Sequence, residues 1–265
     1  MSLRIIRSFI AVVGVGLFLA FLSPSAQASH AWGNYHWART SNPFTLKLGD
    51  NLSSGWDPYL ATSSADWSAS LVLDTSIVPG GTTARRCRPT SGRVEVCNSA
   101  YGNNGWLGLA QIWASGSHIT QGVTKVNDTY FNTAKYNTLA WKNLVMCQEV
   151  GHNLGLDHQD EIFDNANLGT CMDYSSNPST NQHPNQHDYD QLASIYTHLD
   201  GFTTVQSGTQ KLPLGLSVAN GVLESDFENR SEWGRELRNN GGVALFERDL
   251  GGFKIFTFVV WAEES

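Results

Sequence analysis

Apolar and polar residues alternate from Phe44 to Asp50, a period of two that predicts a half-buried strand running into a turn. Trp56, Tyr59, Leu60 and Trp67, with Asp57-Pro58 near the start, predict a helix over 56–69. Strands are expected over 70–77, 93–97, 105–114 and 122–131, enough to build one sheet. An apolar, helix-compatible lead from Leu139 to Cys147 runs into a helix expected over 143–155. Apolar positions 189, 192, 195, 196 and 199 have helical spacing, with Asp188 as the expected cap. Beyond residue 200 the chain changes character. Residues 205–216 read as a polar linker. The apolar runs 243–246 and 253–261, separated by Asp249-Leu250-Gly251-Gly252, read as a β-hairpin. The pattern as a whole predicts an α+β fold.

The N-terminus adds a compartment to this picture. Arg4 and Arg7 precede an apolar run from Phe9 to Leu22, and Ala26-Gln27-Ala28 offers small residues for cleavage. Residues 1–28 are therefore expected to be a signal peptide, residues 29–200 the main domain and residues 201–265 a linker with a β-rich extension. The apolar run is short for a membrane span, although an uncleaved anchor stays open as an alternative. After cleavage the protein is expected to be secreted, with no membrane attachment. Removing the signal leaves 15 basic against 24 acidic residues, a net charge of about −9. Such a chain does not favour nucleic acid. Its 9 Trp, 8 Tyr and 12 Phe can build a large core. Four cysteines in an exported chain predict two disulfides among three possible pairings, and no CxxC motif suggests a metal or redox role.

The chemistry concentrates in Gln148-Glu149-Val150-Gly151-His152-Asn153-Leu154-Gly155-Leu156-Asp157-His158. On a helix, Gln148 and His152 lie one turn apart on one face and can address one ion. Glu149 lies beside them. Gly155 can end the helix in the left-handed conformation, so the chain can double back and bring His158 to the same place. Two imidazoles, a third side chain and an open position describe a catalytic zinc site.

This stretch resembles the metzincin metalloprotease signature H-E-x-x-H-x-x-G-x-x-H with a downstream Met-turn. Glu149, His152, Gly155 and His158 match it, and Gln148 stands where the family has a zinc-binding His. Met172 matches the Met-turn, and Tyr174 is similar to the tyrosine of the astacin and serralysin branches. The resemblance implies a zincin-like metzincin fold: a twisted mixed sheet, an active-site helix and a closing C-terminal helix. It implies one catalytic Zn2+ on His152, His158 and, less tightly, Gln148. Glu149 is the implied general base, Met172 the floor beneath the ion, and Tyr174 a group reaching the zinc or the reacting carbonyl. It also implies a disulfide between Cys147 and Cys171, beside the expected Cys87–Cys97 pair across the turn 89–92. By the same analogy a peptide substrate binds as an extended strand along a free sheet edge, with residues 105–113 as the candidate, and the protein is a monomer. The matrixin cysteine switch is not visible before Cys87, so no latency device is expected. The function implied is peptide-bond hydrolysis. The alternative, favoured by Gln148, is a catalytically impaired metzincin-fold protein that acts as a binding or scaffolding module.

Overall fold

The computed structural model describes residues 29–205 and 227–263. The expected signal peptide and nearly all of the expected linker lie outside the described residues. In chain order the elements are β1 (His36–Trp37), β2 (Phe44–Asn51), α1 (Asp57–Trp67), β3 (Leu73–Pro79), β4 (Val94–Ser99), β5 (Trp106–Ser115), β6 (His118–Asn127), α2 (Asp128–Phe131), α3 (Leu139–Asn153), α4 (Gln186–Ile195), β7 (Arg235–Asn239), β8 (Val243–Asp249) and β9 (Phe253–Trp261). The protein is α+β, with a core made mostly of sheet. No helix among the described residues is long and apolar enough to cross a membrane.

The strands form one mixed sheet in the order β3-β2-β4-β6-β5-β9-β8-β7, with β1 pairing on β6. The first part is parallel, and β5, β7, β8 and β9 pair antiparallel. The predicted hairpin over 243–261 forms, but it does not stand apart. Its second strand joins the main sheet through β5.

That pairing corrects the expectation of a free edge. β5 is bonded to β6 on one side and to β9 on the other. Every residue from Trp106 to Ala114 is buried, as a near-continuous apolar run requires when both faces and both edges are covered. The strand expected over 70–77 runs Leu73–Pro79 and the helix expected over 143–155 runs Leu139–Asn153, and two further differences have a cause in side-chain capping. The strand expected over 122–131 gives way to the helical turn α2, because the Asn127 side chain accepts from Thr129 N and starts a helix there. The cap of α4 is Asn185, not Asp188. Asn185 accepts from the backbone of His187 and Asp188, while the Asp188 carboxylate accepts from Asn185 N.

Helix α3 sits at the centre of this arrangement. Thr138 caps it by accepting from Trp141 N, and every side chain from Asn143 to Asn153 is buried. The last carbonyls of a helix have no partner within it. Here Trp32 Nε1 donates to His152 O at 3.2 Å and Trp37 Nε1 to Asn153 O at 2.8 Å. Further up the helix, Trp67 Nε1 donates to Cys147 O at 3.1 Å. The Asn153 amide donates to Val123 O, Thr124 Oγ1 and Glu149 O, pinning the helix end to β6. The Cys147–Cys171 disulfide ties α3 to the segment that follows, and Cys87–Cys97 closes the other loop, both as expected.

Close approach of helix and sheet depends on glycine. A Cβ on Gly122 would lie 2.0 Å from Asn153 Oδ1. Gly122→Ala should therefore displace Asn153 and cost about 1–3 kcal/mol of stability by overpacking. Chemical denaturation with an unchanged midpoint would show that the contact is not tight.

Candidate metal centre

Helix α3 ends at Asn153, and Gly155 follows at φ +100°, in the left-handed region that favours glycine. A Cβ there would lie 2.8 Å from Tyr35 O. The chain turns back at this point, and the two imidazoles of His152 and His158 meet with their Nε2 atoms 3.1 Å apart. Both rings are buried.

The other ring nitrogens fix the protons. His152 Nδ1 lies 2.9 Å from Leu156 O. A carbonyl only accepts, so Nδ1 carries the hydrogen and Nε2 is left with its lone pair. His158 Nδ1 lies 3.2 Å from Glu161 Oε1, which likewise places its hydrogen on Nδ1. Two lone pairs thus face each other across a gap a few tenths of an ångström short of that between neighbouring ligands of one zinc. Tetrahedral ligands about 2.0–2.2 Å from an ion stand roughly 3.3–3.6 Å apart.

Gln148 and Glu149 lie on the same helix, fully buried. Among the described residues, neither amide atom of Gln148 nor either oxygen of Glu149 has a hydrogen-bond partner. Buried polar groups are nearly always paired, so four orphan atoms on the helix that also carries His152 leave Gln148 and Glu149 available to a cation or its water. Burial pushes the Glu149 carboxyl well above its ordinary range. Burial, and then the neighbouring His158, pushes His152 well below its own. In the bare protein burial thus disfavours the charged form of each group.

Met172 packs under the helix. Its Sδ lies 2.6 Å from where a Gly151 Cβ would stand, so Gly151 leaves room for it. Tyr174 is buried and stacked on Phe163 at 4.6 Å, and burial raises its phenol. Its ring packs against Gly242, where a Cβ would fall 2.0 Å from a ring carbon. Of the residues expected at the site, His152 and His158 converge, Gln148 and Glu149 line the same helix, and Met172 lies beneath it.

Three further residues shape the site without any motif to announce them. Arg238 of β7 donates to both oxygens of Asp157, at 3.0 and 2.6 Å, and its Nε lies 2.7 Å from Glu161 Oε1. Burial alone would raise Asp157, but the Arg238 hydrogen bonds and charge hold it below the ordinary carboxylate range. Glu161 therefore bridges His158 and Arg238. Phe258 of β9 stacks on the His152 ring at 4.1 Å and 14°. The C-terminal strands thus cover the centre: β9 over His152, the β7–β8 turn over Tyr174 and Arg238 over the turn that carries His158.

Comparison with models of known protein families finds no match for this chain, and comparison with curated proteins finds none either.

Glu149 sets a pH dependence for the metal-free protein. The unfolded chain ionises this group near its ordinary value of 4.5, whereas the folded chain keeps the proton. Its contribution is complete below that value and is lost as pH rises towards the raised folded value. Glu149→Gln should therefore melt higher than the parent at neutral pH without metal, with a gap that closes by about pH 4. Identical melting curves at both pH values would contradict the burial of an uncompensated carboxyl.

Proposed function

We propose that this chain is a secreted metzincin-type zinc metalloendopeptidase, held closed by its own C-terminal strands. The observation that carries the reading is the pair of buried imidazoles facing each other through Nε2, with both Nδ1 atoms committed to acceptors. The mixed sheet with α3 against it fits the metzincin fold, and the two disulfides fit an oxidising compartment.

His152, His158 and Gln148 would hold the ion. Gln148 offers a neutral oxygen, a harder and weaker donor to zinc than imidazole. When bound, zinc supplies Lewis acidity, which polarises a carbonyl and acidifies water. Glu149 then does the proton work. A divalent charge beside it favours the carboxylate over the acid that burial alone would keep. As carboxylate it takes a proton from the attacking water and delivers it to the leaving amine. Glu161 holds the His158 tautomer, and the Leu156 carbonyl holds that of His152, so both imidazoles would offer their Nε2 lone pairs to the ion.

Catalysis on a protein substrate requires the covering strands to move or be removed, because β9 occupies the side of β5 where an extended peptide would pair. The second reading, an impaired metzincin-fold binding protein, is favoured by that same burial and by Gln148. It predicts no turnover in any state of the chain.

Two measurements separate these readings. Glu149→Ala should abolish chelator-sensitive peptide cleavage while the fold is kept, and Gln148→His should bind zinc at least about tenfold more tightly. Cleavage that survives the first change, or equal zinc affinity after the second, would refute the assigned roles. Arg238→Ala removes charge-assisted hydrogen bonds that hold β7 over the site. Such bonds contribute about 1.5 kcal/mol or more, so the open population and peptide cleavage should rise about tenfold. Unchanged or lower cleavage would argue against closure by these strands.

A further inference from the structure

A second set of imidazoles converges elsewhere in the molecule, on residues that the proposed catalytic site does not use. β1 pairs with β6 in parallel, in a register that sets His36 beside His118. The turn after α4 brings His198 and Asp200 to the same spot. His198 Nε2 lies 3.0 Å from His36 Nε2, and the two rings meet edge to face at 4.5 Å. Three imidazole nitrogens surround one carboxylate oxygen. Asp200 Oδ1 lies 3.2 Å from His118 Nε2, 3.5 Å from His36 Nε2 and 3.7 Å from His198 Nε2.

The geometry points to a zinc site formed by His36, His198 and Asp200, whose donor atoms all lie within 4.8 Å of one another, with His118 on the same carboxylate oxygen at its edge. The three distances among His36 Nε2, His198 Nε2 and Asp200 Oδ1, 3.0, 3.5 and 3.7 Å, bracket the roughly 3.3–3.6 Å separation of zinc ligands. The surroundings orient the donors. His36 Nδ1 lies 2.8 Å from Asn34 O, so its hydrogen is there and its Nε2 lone pair points into the cluster. Arg39 is buried, and it donates through its backbone N and through Nη1 to the other oxygen, Asp200 Oδ2, at 3.1 Å each. That leaves Oδ1 facing the imidazoles. Arg39 Nη2 also donates to His198 O, fixing the backbone that carries two of the three donors. Imidazole nitrogen with one carboxylate suits zinc.

Three protein donors are in place, and His118 can supply the fourth by a small movement towards the ion, which would close the site as in a structural centre. The ion would join β1, the start of β6 and the turn after α4, segments far apart in sequence. A ligand that binds only the folded chain stabilises it in proportion to its occupancy. This inference does not depend on the proposed protease activity.

The test is zinc stoichiometry on the full chain, with circular dichroism to confirm the fold. His152→Ala impairs the other centre and should still hold one equivalent of zinc. Adding His198→Ala to that variant should remove it, and His198→Ala alone should lower the zinc content of the parent by one equivalent. A folded His152→Ala chain that holds no zinc, or a His198→Ala chain that holds as much as the parent, would overturn the proposal. A measurement on the unmutated chain guards against misfolded variants. His198 is half exposed, so zinc should slow its reaction with a histidine-modifying reagent about tenfold or more, as mapped by mass spectrometry. An unchanged rate at saturating zinc would mean that protons alone hold the cluster together.

Discussion

Three indole N–H groups donating into the backbone of one buried helix hold this protein's centre in place. Trp32 and Trp37 reach the last carbonyls of α3, and Trp67 reaches one further up. A helix end buried without partners would cost roughly 1–3 kcal/mol for each orphan carbonyl. Trp37 removes that cost at Asn153 O, Trp32 adds a second donor to His152 O beside Gly155 N, and all three indoles bring large apolar rings to the same place. Because the end of α3 is fixed, the turn at Gly155 is fixed, and with it the approach of His158 to His152. Gly108 and Gly122 admit the helix so closely that α3 leaves no room for a Cβ on either. The site's geometry follows from packing of the helix that carries it.

Electrostatics at this centre are unfinished in the bare chain. A carboxyl and an amide without hydrogen-bond partners and two facing imidazole lone pairs are buried on one helix and the turn that leaves it. Proteins rarely tolerate one such group, and a cluster of them is the kind of local inconsistency found at functional sites. The C-terminal strands sharpen the conflict by excluding water. Phe258 covers His152, and Arg238 neutralises the acidic turn that positions His158. On the proposed reading, one segment supplies core to the sheet and a lid to the metal centre.

Much of this was legible in the sequence wherever the information was local. The period-two run at 44–50, the helical spacing before Asn153 and the apolar runs at 243–261 each gave the right element, because each buries one face by itself. The motif from Gln148 to His158 was legible because a helix and one turn bring its residues together within eleven positions. What escaped was set by pairing between distant segments. Nothing near Trp106 says that Phe253–Trp261 will bond to it, although the near-continuous apolar character of that strand, which marks full burial, was a signal that a free edge was the wrong expectation. Arg238 and Phe258 meet the site only through that pairing. His36, His118, His198 and Asp200 are scattered over more than 160 positions, so only the β1–β6 register and the end of α4 bring them together. The turn at Asn127 and the cap at Asn185 were missed because a side-chain acceptor outweighed the apolar pattern.

The most direct measurement is an anomalous-scattering map at the zinc edge from crystals of the full chain grown with zinc. The account predicts a peak between His152 Nε2 and His158 Nε2, within bonding distance of both and of the Gln148 amide oxygen, with Glu149 beside it. A map with no peak there, and with the two imidazoles still facing each other at about the 3.1 Å seen here, would mean that a shared proton fills the gap, and the metalloprotease reading would fail.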